Sequence, residues 1–97
     1  MEDSLPFHAG AGGCACMVRG GNVGQWTACV APPRYAARWT AEYTRNTWRI
    51  FLCEQHRDQV DEARELTEAD RTALALRRER WRAALRGERW IPPRPLS

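Results

Sequence analysis

Trp48-Arg-Ile-Phe-Leu-Cys53-Glu-Gln-His56 is the stretch on which the fold turns. Its first half alternates, with Trp48, Ile50 and Leu52 on one side and Arg49 and Phe51 on the other, the period-two signature of a strand. Its second half sets a cysteine and a histidine three positions apart, where the strand gives way to a helix. A Cys-x2-His pair on one first turn presents a thiolate and an imidazole to the same point, and zinc prefers that mixture of sulfur and nitrogen.

Upstream, Trp26-Thr-Ala-Cys-Val30 puts Trp26, Ala28 and Val30 on one face, and Arg38-Trp-Thr-Ala-Glu-Tyr43 opposes Trp39, Ala41 and Tyr43 to Arg38, Thr40 and Glu42. With Trp48–Cys53 these segments predict a small three-stranded antiparallel sheet with one aromatic face. Gly20–Gly24 and Ala31-Pro-Pro-Arg34 punctuate as turns, and Thr44-Arg-Asn-Thr47 is the expected hairpin tip. Residues 1–13, with Pro6, Gly10, Gly12 and Gly13, read as a flexible lead-in.

Downstream the composition changes: residues 54–90 contain no proline, and Gly87 is their only glycine. A short helix is expected over 54–65. A longer one should start at Thr67-Glu-Ala-Asp70, where a hydroxyl and acids satisfy free amides and complement the helix dipole, and run to about Gly87. Trp90-Ile-Pro-Pro-Arg-Pro95 ends it. The expected class is α+β: a zinc-binding sheet plus short helix over 14–66, a long arginine-rich amphipathic helix over 67–90 and a proline-rich tail over 91–97. In 97 residues the apolar core is small, so a metal staple would add much.

Six donors compete for four places: His8, Cys14, Cys16, Cys29, Cys53 and His56. Cys14 and Cys16 are separated by one residue, so in an extended segment their side chains point to opposite faces. The preferred set is Cys16, Cys29, Cys53 and His56, with Cys14 as the substitute; His8 in the lead-in reads as solvated. Buried thiols or a disulfide are the competing readings. Four available ligands favour a closed, structural zinc over a catalytic one, which keeps a position open. Glu54 adjoins Cys53, but no His-x-Glu segment accompanies it. The only serines are Ser4 and Ser97, and Gly20–Gly24 lacks the lysine of a phosphate loop. An enzyme acting on a small-molecule substrate is therefore not expected. No apolar run approaches the ~20 residues of a membrane span, and Met1-Glu-Asp-Ser-Leu5 is acidic where a secretory signal would be basic, so a cytoplasmic protein with reduced thiols is expected.

The arrangement Cys16, Cys29-Val-Ala-Pro32 and Leu52-Cys-Glu-Gln-His56 resembles the small zinc-binding proteins, of treble-clef or zinc-ribbon type, frequent in high-GC bacteria and their phages. The resemblance spans residues 14–60 and is carried by the ligands and by the proline after the second of them. A twelve-residue gap stands where the commoner pattern has a Cys-x2-Cys knuckle. The resemblance implies a structural zinc and a β-hairpin followed by a helix.

The net charge of +3 conceals an asymmetry. Residues 54–70 sum to −5, residues 71–97 to +6, and every positive charge in the chain is arginine. At 100° per residue Arg71, Arg78, Arg82, Arg86 and Arg89 form one stripe beside the apolar arc of Ala73, Leu74, Trp81, Ala84 and Leu85. That stripe could track phosphates or an acidic protein surface, or simply be a solvated face. Of the five tryptophans, Trp26, Trp39 and Trp48 fit the sheet core, whereas Trp81 and Trp90 lie among arginines at the helix end. The first expectation is an adaptor or regulator, of the kind a phage or plasmid encodes to act on host machinery, that docks on a protein partner or a second copy through Trp81, Trp90 and their arginines. The second is a nucleic-acid-binding module using the stripe.

Overall fold

A computed structural model describes residues 7–19 and 25–96. In chain order it holds one helical turn, α1 (Phe7–Gly10), strands β1 (Met17–Arg19), β2 (Trp26–Ala28), β3 (Tyr35–Thr40) and β4 (Thr47–Leu52), a 3-10 helix (Glu54–Gln59), β5 (Arg64–Glu65) and α2 (Glu68–Leu85). The α+β class read from the sequence holds. The expected turn over residues 20–24 and the side chains of His8 and Trp26 lie outside the described residues.

The hairpin β3–β4 is the frame. Its antiparallel register runs from Tyr35↔Leu52 to Thr40↔Thr47, and the turn is closed by Ala41 N–H donating to Asn46 O at 2.8 Å. β3 starts three residues earlier than the sequence suggested and stops before Tyr43, which stands 74% exposed in the turn. Burial decides the shift: Tyr35, Ala36 and Ala37 are all buried.

The third strand of the sheet is not the Trp26 segment. The order is β4-β3-β5, with Tyr35↔Glu65 and Ala36↔Arg64, while β2 pairs with β1 in a separate two-stranded ribbon. The expected helix over 54–65 is likewise replaced by the six-residue 3-10 helix, a turn in which Glu62 takes φ 61°, and β5. None of the 3-10 helix residues is buried, and a short helix without an apolar face gains too little from packing to continue. A two-residue strand such as β5 is too short to show a period.

α2 begins as its sequence indicates. Thr67 caps it, its hydroxyl accepting from Asp70 N–H at 3.2 Å while the Asp70 carboxylate accepts from Thr67 N–H at 2.9 Å, a complete capping box. At the far end Gly87 takes φ 92°, Gly87 N–H donates to Ala84 O and Glu88 N–H to Ala83 O, the pairing that closes a helix through a left-handed glycine.

The sheet is buried on both faces. One carries Tyr35, Ala37, Trp48, Ile50 and Leu52, which cluster with Cys14, Cys29 and Cys53. The other carries Ala36 and Phe51 under Leu74 of α2, flanked by Leu66 and Ala73. The expectation of a single aromatic face thus missed Phe51, wholly buried and worth roughly 1.5–3 kcal/mol there. Arg77 lies over the Phe51 ring at 5.0 Å and donates to Arg49 O at 2.9 Å and Ala9 O at 3.4 Å. Burial, and then the charge of Arg49, push its guanidinium pKa down to about 10.

Both ends of the described chain fold onto this frame. Within the segment read as a lead-in, Ala9 and Gly12 are buried, and a Cβ on Gly12 would come within 2.8 Å of Arg78 Cγ and 3.2 Å of Leu74 O, so this loop packs directly on α2. In the tail, Trp90 and Pro93 stand against Gly10, and Leu96 N–H donates to Thr47 O at 2.6 Å. The outward carbonyls of edge strand β4 are therefore taken in turn by Leu96 (at Thr47), Arg77 (at Arg49) and Ala15 (at Phe51). Among the described residues no helix is long and apolar enough to cross a membrane.

Candidate metal centre

Three parts of the chain meet at one end of the sheet. The segment after α1 brings Cys14, the end of β2 brings Cys29, and the step from β4 into the 3-10 helix brings Cys53 and His56. Their Sγ atoms and the His56 Nδ1 all lie within 4.8 Å of one another; the three cysteines are buried and the histidine half-buried. Cys29 and Cys53 sulfurs are 3.8 Å apart, and His56 Nδ1 is 3.6 Å from Cys14 Sγ and 3.1 Å from Cys53 Sγ. Tetrahedral zinc, with bonds of about 2.3 Å to sulfur and about 2.0–2.1 Å to nitrogen, requires S···S edges of ~3.8 Å and S···N edges of ~3.5 Å. A disulfide would need about 2.05 Å, and none of the four cysteines is joined in one. The four side chains can hold a metal ion.

The set differs from the expected one at one position: Cys14, not Cys16, joins Cys29, Cys53 and His56. Strand alternation does not govern the choice, because residues 13–16 are not a strand. The chain bends at Gly13 and Ala15, Ala15 N–H donates to Phe51 O at 2.8 Å, and Cys14 Sγ accepts from Cys53 N–H at 3.4 Å. The adjacent pair Gly12-Gly13 was the available sign that the segment would bend. Cys16 is half-buried against the same cluster.

Burial raises the thiols of Cys14, Cys16 and Cys29 above the ordinary cysteine value. Cys53 goes the other way: burial works against its thiolate, but the amides of His56 and Gln55 and hydrogen bonds from Cys14 and Cys29 outweigh it. The backbone at the start of the 3-10 helix thus favours one thiolate before any ion arrives. The helix is itself held down by Tyr35, whose hydroxyl donates to Glu54 Oε2 at 2.7 Å and accepts from Arg57 Nη1 at 2.9 Å. Glu54 is turned onto Tyr35. A Cys53→Ser protein is expected to lose its bound metal on purification and a Cys16→Ser protein to keep it, as metal content by mass spectrometry will check.

The candidate partner residues divide. Arg71, Arg78, Arg82, Arg86 and Arg89 are exposed, with Arg86 Nη2 paired to Glu88 Oε2 at 3.0 Å. Trp81 and Trp90 are half-buried and pack on each other edge to face, ring centres 5.4 Å apart. Beyond its place in the helix cap, nothing in the sequence marked Asp70, which is buried at 1% exposure and bound by Arg64 through two hydrogen bonds, one of 3.2 Å, and by Arg49 at 3.6 Å. Comparison with protein families, with curated proteins and with solved structures finds no match to this chain.

Proposed function

We propose that this is a non-enzymatic module in which a structural zinc ion, held by Cys14, Cys29, Cys53 and His56, braces a scaffold that presents the arginine stripe of α2 to nucleic acid. For the zinc, the support is the donor set: three cysteine sulfurs and an imidazole nitrogen, all within 4.8 Å of one another, would fill four positions and leave none for a substrate.

For the ligand, the observation that carries the reading is the contrast on α2. Its arginines at 71, 78 and 82, with Arg86 at its cap and Arg89 beyond, are exposed, while the two tryptophans on which a protein-docking surface would depend are packed on each other. Arg71, Arg78 and Arg82 fall on one face of the helix, and arginine forks facing solvent there match a run of phosphates. The stripe also continues off the helix. Arg34 and Arg71 line a cleft of about 220 Å³, and Pro33 is shared between it and a neighbouring cleft of about 330 Å³ lined by Arg78 and Trp81.

Binding of a labelled single-stranded oligonucleotide, followed by fluorescence anisotropy over a salt series, tests this. Five phosphate contacts give a log–log slope of about −3.5, at roughly −0.7 per contact on a single strand. Reversing charge at Arg78 and Arg82 together should flatten it. No binding at low salt, or binding indifferent to salt, would overturn the nucleic-acid reading. It would return the helix to the protein-docking alternative, for which exposed Leu76, Leu85 and Ile91 offer apolar contacts.

A further inference from the structure

The centre has five donors for four places, and the fifth is held against it. Cys16 lies one step beyond the Met17↔Ala28 pair of the ribbon, opposite Cys29, and its carbonyl accepts from Cys29 N–H at 3.0 Å. Residues directly opposed in an antiparallel ribbon project to the same side, so the Cys16 side chain shares the side from which Cys29 reaches the cluster. Cys16 packs, half-buried, on the buried group containing Cys14, Cys29 and Cys53. Beyond it lies a mainly apolar cavity of about 280 Å³, lined by Ala15, Cys16, Trp39, Ile50, Leu52 and Val60 together with Gln59, which leaves the thiol room to change rotamer.

His56 is the donor with the weakest hold. The three cysteines of the centre are buried, at 0%, 7% and 2% exposure, and are tied into the sheet and the ribbon; His56 is half-buried on a 3-10 helix with no buried residue. We propose that Cys16 is a reserve ligand that takes the fourth position when His56 leaves. The centre then exchanges between a set of three cysteines with one histidine and a set of cysteines alone, and the second suits thiophilic d10 ions such as cadmium or copper(I) better than the first. Moving from one set to the other exchanges one metal–nitrogen bond for one metal–sulfur bond, and the Cys16 proton goes to the departing imidazole or to water.

This rests on the metal-binding reading, and Co²⁺ as a spectroscopic probe separates the two. If the whole protein takes up no Co²⁺ with thiolate charge-transfer bands, the metal centre itself is refuted. If it does, Cys16→Ser should leave the spectrum unchanged, because Cys16 is not bound in the resting set. His56→Ala should still bind Co²⁺, with its d–d bands moved to longer wavelength and its thiolate charge-transfer band strengthened as a fourth sulfur enters. The double variant His56→Ala/Cys16→Ser should lose that spectrum and bind ~10- to 100-fold more weakly than His56→Ala, the range that loss of even an outer-shell partner costs. Equal spectra and affinities in His56→Ala and the double variant would overturn the proposal, as would failure of His56→Ala to bind in a protein whose parent does.

Discussion

Stripping the metal with a strong chelator is expected to abolish the cooperative unfolding transition and to collapse both the helical circular dichroism of α2 and the near-ultraviolet signal of Trp39 and Trp48. The scale of the effect follows from the size of the molecule. A structural zinc in a small domain contributes an apparent ~10 kcal/mol, comparable with the whole stability of an ordinary domain at roughly 5–15 kcal/mol. Here the ligands are part of the core: Cys14, Cys29 and Cys53 are buried with Tyr35, Ala37, Trp48, Ile50 and Leu52 on one face of the sheet. Without the ion, thiols raised by burial take up protons and become neutral, so the site does not fly apart by charge. It loses the bonds that join the Cys14 segment, the ribbon and the end of β4. The helix should follow, because its own contacts are to the other face of that sheet through Ala36 and Phe51. Unchanged dichroism and an unchanged midpoint after demonstrated metal removal would refute this account.

Replacing Asp70 with alanine should cost about 2 kcal/mol, because it removes the capping-box carboxylate and its charge-assisted hydrogen bonds from Arg64, whose half-exposed guanidinium then returns to water. The Arg64 fork, with the Thr67 amide and hydroxyl adding to it against burial, keeps the Asp70 carboxyl well below the usual carboxylate range. The sign of the pH dependence follows. In the unfolded chain Asp70 titrates at about 3.9, so above that pH its ionised form contributes its full stabilisation to the fold. As pH falls from about 5 towards the lower folded value, the unfolded chain takes up a proton that the native state refuses, and stability declines. Asp70→Asn should start lower at neutral pH and show a shallower decline below pH ~5. The difference between the two proteins isolates this carboxyl, since acid also protonates the thiolates of both. Parallel pH profiles would remove Asp70 from the explanation.

Features set by near neighbours were legible in the sequence. The β4 alternation, the Cys53–His56 pair, the cap at Thr67 and the glycine closing α2 each depend on residues within a few positions of one another, and local sequence records local geometry. What could not be read depends on where a short segment lands. The bend at Ala15 exchanged Cys14 for Cys16; β5 is two residues; and the 3-10 helix replaced an α-helix because none of its residues found a core to bury in. Phe51 carried a weak sign, being a large apolar residue on the side that alternation shares with Arg49. Arg77 carried none, since an arginine beside the exposed Arg78 reads as solvated until the edge strand beneath it is known.

That edge strand has a further consequence. An exposed β-edge with free carbonyls is a template on which another chain can add, the usual start of swapping and of fibrous aggregation. On β4 the carbonyls at 47, 49 and 51 are claimed by three segments from different parts of the sequence: the proline-rich tail, the long helix and the loop that carries Cys14. The same contacts that assemble the fold therefore withhold this edge strand from other copies, and the chain keeps that protection only while the Cys14 loop, helix and tail are all in place.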